Sequence, residues 1–115
     1  MPNYQEYLRH VRTQIRELSV AELQQQSAQP QGAVVLDVRE PDEHQQGVIP
    51  GAVLVPRGLL EGRIESLAPD PSAKIILYCQ GGHRSALAAQ SLLAMGYQQV
   101  FSLAGGFAAW RSAGG

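Results

Sequence analysis

The spacing of hydrophobic positions changes along the chain, and each change marks a new element. Tyr4, Leu8, Val11 and Ile15 recur every three or four residues with Gln, Glu and Arg between them, which predicts a one-faced helix. Ser19 followed by Glu22 has capping-box spacing, so a second helix is predicted from there through Leu23 into the glutamines of residues 24–26. Pro30 and Gly32 then break the chain. Residues 33–38, AVVLDV, form an apolar run with β-branched members that suits a strand covered on both faces.

Pro41 and Asp42 open a short helical turn that Gly47 closes; residues 49–52 read as a turn and residues 53–55 as a short extended piece. Leu59, Leu60, Ile64 and Leu67 are spaced for a helix that Pro69 and Pro71 end. Residues 74–79, KIILYC, are the second clear strand. They run into Gly81-Gly82 and then SALAAQSLLAM, a strong helix former stopped by Gly96. Residues 99–103 predict a last strand, and Gly105-Gly106 turns the chain into a final short helix with Phe107 and Trp110. Strands alternate with helices from Ala33 onward, which predicts an α/β domain with a mainly parallel sheet. No internal repeat or linker interrupts it.

A length of 115 residues predicts one core, and 44% hydrophobic residues can build it without a metal or disulfide. The formal net charge is -1 and the nine basic residues are scattered, so nucleic acid and anionic membrane surfaces are not expected partners. The apolar runs are too short to span a bilayer, and the polar N-terminus lacks the apolar core of a signal peptide. The lone cysteine excludes an internal disulfide and a multi-thiolate zinc site. A cytoplasmic protein without metal or cofactor is the expectation.

The chemistry concentrates in YCQGGHRSA, residues 78–86. A buried strand delivers Cys79 to its C-terminal end, where parallel sheets bind ligands. Gly81 and Gly82 let the following loop curl, so that successive backbone N–H groups point inward and form an anion nest. A helix beginning near Arg84 or Ser85 adds unpaired N–H groups, and Arg84 adds a fixed positive charge. All three favour an anionic sulfur. A helix end by itself contributes only about 0.3–1 kcal/mol, so the nest and Arg84 must carry the larger share. A cysteine at a strand end is more often an inert core residue; this loop and helix context makes Cys79 the candidate nucleophile.

Three blocks in series, LDVREPDEHQQGVIPGA, YCQGGHRS and VFSLAGGFAAW, resemble the rhodanese homology domain. The resemblance implies a five-stranded, mainly parallel sheet flanked by helices on both faces. It runs from about residue 15 to residue 110, leaving residues 1–14 as a helical extension packed on a rhodanese-like domain of residues 15–112. It also implies a catalytic Cys79 that takes the outer sulfur of thiosulfate or of a persulfide donor and passes it to a thiol, possibly on a protein, or to cyanide. The loop Gln80, Gly81, Gly82, His83 and Arg84 would cradle the persulfide, with Asp37, Arg39 and Ser85 in support. A non-catalytic partner-binding or sulfur-carrier module is the alternative. Related phosphatases use Cys-x5-Arg; here four residues separate Cys79 from Arg84, and Ser85 stands at the sixth position.

The remaining polar residues read more plainly. Asp37 is expected to accept backbone hydrogen bonds and Arg39 to pair with a carboxylate. His83 reads equally as a loop contact to an acceptor or as a solvated residue. Arg57 and Arg63 read as surface cations, with a place at the pocket mouth as the alternative. His10 and His44 lack metal-ligand spacing and are expected to have no functional role. The family commonly carries an aromatic at the position of His44 and a histidine at that of Val48. Trp110 is expected in the core.

Overall fold

The computed structural model describes residues 2–27 and 33–115. Five strands form one sheet: β1 (Arg16–Leu18), β2 (Val34–Asp37), β3 (Val53–Leu54), β4 (Lys74–Tyr78) and β5 (Gln99–Leu103). Their spatial order is β1-β5-β4-β2-β3, and all four pairings are parallel. The helices are α1 (Tyr4–Arg12), α2 (Val20–Ser27), α3 (Pro41–Gln45), α4 (Leu60–Leu67), α5 (His83–Ala94) and α6 (Gly106–Ser112), with a 3-10 turn at Arg57–Leu59 before α4. The expected break at Pro30 and Gly32 lies outside the described residues.

Side chains alternate across the central strand and build two cores. Ile75 and Leu77 face Leu60 and Ile64 of α4 and Ala88, Ala89 and Leu92 of α5. Ile76 and Tyr78 face Leu23 of α2 and Phe107 of α6. These β4 residues are fully buried, as a strand covered on both faces requires. From β2 the chain moves out to β3 on one side of the sheet, and from β4 to β5 on the other. The crevice between the C-terminal ends of β2 and β4 is therefore the switch point, where open parallel sheets bind ligands.

Local signals explain the helix ends. Ser19 and Glu22 exchange capping-box bonds of 2.9 and 3.1 Å. Helix α5 closes with a Schellman motif, in which Gly96 (φ 107°) donates to Leu93 and Tyr97 donates to Leu92.

Three details differ from the expectation. Helix α1 stops at Arg12, where Thr13 caps the His10 carbonyl at 2.6 Å, so Ile15 leaves the helix and packs against the larger core instead. Strand β1 was not expected from the residue pattern; three residues show no period, and pairing with β5 creates it. Leu59 precedes α4 and is 46% exposed, while Leu60 and Ile64 take the buried face.

Candidate active site

Cys79 follows the last residue of β4 and is 1% exposed. Its Sγ accepts the Gly82 N–H at 3.1 Å and the Ser85 N–H at 3.4 Å, and the Ser85 hydroxyl lies at 3.5 Å. Gly82 reaches this geometry at φ 99°, a conformation that glycine adopts without steric cost. Helix α5 begins one residue later, at His83, earlier than expected, so Ser85 belongs to its first turn. The sulfur thus meets amides from both the loop and the helix start, and Ser85, expected only in support, touches it twice.

The outside of the loop is held by α6. Phe107 N–H donates to the Cys79 carbonyl at 2.8 Å, and Ala108 N–H to the Gln80 carbonyl at 3.1 Å. With those carbonyls drawn outward, the amides of the loop are free to face the sulfur. Gly106 makes the approach feasible: at φ 61°, any side chain there would overlap the Cys79 and Gln80 carbonyls. The glycine pair at residues 105–106 is therefore part of the site as well as a turn.

Asp37 and Arg39 form the floor. Asp37 is fully buried and Arg39 is 2% exposed. They pair bidentately, with Nε to Oδ1 at 2.9 Å and Nη2 to Oδ2 at 2.8 Å, and the Arg39 backbone N–H also donates to Oδ1. The guanidinium lies 4.4 Å from the Phe107 ring centre, donates to the Gly47 carbonyl at 2.7 Å and reaches Gln80 Oε1 at 3.3 Å. Burial pushes the Asp37 carboxyl up, but the bonds from Arg39 and His44 outweigh it and hold it below its ordinary value. The Tyr78 hydroxyl donates to Asp37 at 3.1 Å and accepts the Ile49 N–H at 3.2 Å. Burial pushes its ionisation up to about 12.

Arg84, expected as a cation beside the sulfur, is itself paired with a carboxylate; the Glu43 bonds foremost, and Cys79 among its other neighbours, push its pKa up. Its guanidinium is held by Glu43 of α3 in two bonds of 2.7 and 2.9 Å, while Glu43 also accepts the Glu40 N–H at 3.0 Å. The hydrogen bonds from Arg84 hold the Glu43 carboxyl down, to about 2. Arg84 therefore ties the start of α5 to the segment after β2. His44, with no expected role, binds Asp37 Oδ2 through Nδ1 at 2.8 Å, which gives the unusual residue at this position a structural use.

The other expectations spread out. His83 is exposed, with its ring edge-on to Tyr4 and ring centres 6.5 Å apart. Gly81 is exposed, with open space around its Cα. Arg57 pairs with Glu61 at 2.8 Å and lines a groove of about 750 Å³ with Tyr7, Leu87 and Ser91, along α5 and not around the sulfur. Arg63 is exposed on α4, and Trp110 is half-buried against the smaller core. A second hollow, about 380 Å³, abuts the loop at Gln80 and includes Arg39, Phe107 and Arg111. Glu43, Ser102 and Gly106 were missed as site residues; only the glycine pair carried a signal, and it reads equally as a turn. Among the described residues, no group of three His, Cys, Asp or Glu is placed to hold a metal ion, and no helix is long and apolar enough to cross a membrane.

Residues 19–113 match the rhodanese-like domain family. A protein of Allochromatium vinosum named sulfurtransferase is 33% identical over 96 residues, covering 84% of this chain and 88% of that one. Thiosulfate sulfurtransferase GlpE of Pseudomonas fluorescens is 36% identical over 89 residues, covering 77% and 80%. A solved Rhodopseudomonas palustris protein of unknown function, described as a possible tyrosine phosphatase, superposes with a TM-score of 0.85 at 36% identity, covering 100% and 93%. With its parallel sheet, its cysteine loop at the switch point and this match along most of its length, the chain belongs to the rhodanese-like domain family.

Proposed function

We propose that this protein is a sulfurtransferase in which Cys79 carries the sulfur as a persulfide. The observation that carries the reading is the pair of backbone N–H groups, from Gly82 and Ser85, directed at Sγ. Such donors stabilise negative charge on sulfur and need no rearrangement as the charge develops. Cys79 is 1% exposed, so a donor must present a slim group such as a terminal sulfur atom.

The Cys79 thiolate attacks the outer sulfur of thiosulfate or of a persulfide donor. The donor's S–S bond breaks, and sulfite or a thiolate leaves with the electron pair. An acceptor thiolate or cyanide then attacks the outer sulfur of the Cys79 persulfide, and the enzyme thiolate departs. The loop from Gln80 to Arg84 cradles the intermediate, Ser85 supplies donors from beneath, and the Asp37–Arg39 pair keeps the floor rigid. Residues 15–112 form the working domain, with residues 1–14 as an extension on α5, and the lone cysteine suits a reducing compartment such as the cytoplasm.

The test is to incubate the protein with thiosulfate, and separately with a persulfide, and weigh it intact. One added sulfur atom, absent in Cys79→Ser and discharged by cyanide or a thiol, is the expected result. An unchanged mass with every donor overturns the proposal. The description of the R. palustris relative raises phosphatase chemistry as a second reading. The four-residue spacing from Cys79 to Arg84, and the engagement of that arginine by Glu43, argue against it. Turnover of an aryl phosphate by wild type, lost in Cys79→Ser, would reverse this order.

A further inference from the structure

Two buried hydroxyls stand in line behind the sulfur. The Ser85 Oγ lies 3.5 Å from Cys79 Sγ, and the Ser102 Oγ of β5 lies 2.8 Å from the Ser85 Oγ. Both serines are fully buried, and among the described residues neither hydroxyl has another side-chain partner. Ser102 stands between Phe101 and Leu103, and both of those face the smaller core. It therefore points to the opposite side of the sheet, toward α5.

Counting hydrogens gives this line a direction. With an anionic sulfur there are two hydroxyl hydrogens and two gaps to bridge: Ser102 donates to Ser85, and Ser85 donates to the sulfur. With a neutral thiol there are three hydrogens for the same two gaps, so one must turn away from the line, to a backbone carbonyl or to no partner. A serine in a helix otherwise turns its hydroxyl back onto a carbonyl three or four residues earlier. A donor on its oxygen keeps Ser85 aimed forward.

We propose that Ser102 is a positioning residue that aims the Ser85 hydroxyl at Cys79, so that this hydroxyl donates to the sulfur as negative charge develops on it. The inference takes its purpose from the sulfur-transfer reading, and its test is independent of that reading. In Ser102→Ala, iodoacetamide modifies Cys79 at neutral pH about three- to tenfold more slowly, a fraction of what a hydrogen bond to a charged group contributes. Ser102→Thr and Ser102→Val add nearly the same bulk, and only the threonine keeps the hydroxyl; threonine is therefore expected to react faster than valine by a similar factor. Equal rates in these two variants, or an unchanged rate in Ser102→Ala, overturn the proposal. Alkylation needs no sulfur donor, so a wild type that accepts no sulfur removes the sulfur-transfer reading and still leaves this comparison to decide the role of Ser102.

Discussion

The carbonyl of Cys79 lies so close to Gly106 that a methyl group on that glycine would overlap it. The contact joins the cysteine loop to the start of α6, 27 positions on, and it draws the loop's carbonyls outward. Gly106→Ala introduces both this overlap and a left-handed backbone conformation at an alanine. A loss of roughly 2 kcal/mol or more is expected in urea denaturation, together with loss of sulfur loading by mass. Normal loading in a folded Gly106→Ala would show that the α6 contact does not shape the loop.

Glu43 gives the fold an acid-sensitive joint. Arg84 holds its carboxyl at about 2 in the folded protein, against 4.5 for the ordinary group. The pair therefore stabilises the fold above about pH 4.5, and that contribution disappears as the pH falls toward 2. Glu43→Gln is expected to lose about 1 kcal/mol at neutral pH, as befits a pair that solvent partly reaches. Urea midpoints for the two proteins should converge near pH 2; a constant gap across that range counts against the ion pair as its cause.

Asp37→Asn keeps the shape of a fully buried side chain and removes the charge that balances Arg39. Breaking a buried pair from one side typically costs about 3–5 kcal/mol, because the remaining charge has no counter-ion. Chemical denaturation should show a loss of that size. A loss below about 1 kcal/mol would mean that the carboxylate is dispensable to the floor.

Tyr78→Phe removes a hydroxyl that serves Asp37 and the Ile49 N–H together. A buried amide left without an acceptor leads to an expected loss of about 1–3 kcal/mol. In alkaline difference spectra of the folded wild type, one tyrosine should ionise only near pH 12, as burial of Tyr78 dictates. That late step should be absent from Tyr78→Phe; its persistence would assign it to another ring.

Much of the architecture was readable because it is local. The unbroken apolar run of β4, the Ser19 and Glu22 box and the Gly96 stop each depend on residues a few positions apart, and each formed as expected. The passage from Cys79 through Gly82 into α5 is local too: strand end, glycine turn and helix start lie within six residues, and only the first helical residue comes earlier than expected. Strand β1 was hidden because three residues carry no period. Ile15 was misassigned because a helical spacing cannot reveal where a cap ends the helix.

Sequence alone was enough to establish an α/β chain with a cysteine loop at the end of a buried strand, since backbone preference and hydrophobic period are properties of neighbouring residues. The partners of that loop came from folding: Glu43 on Arg84 across 41 positions, Ser102 on Ser85 across 17, and the α6 amides on the Cys79 carbonyl. No spacing rule encodes such contacts, because side chains so far apart in sequence meet only when the sheet order brings their elements together.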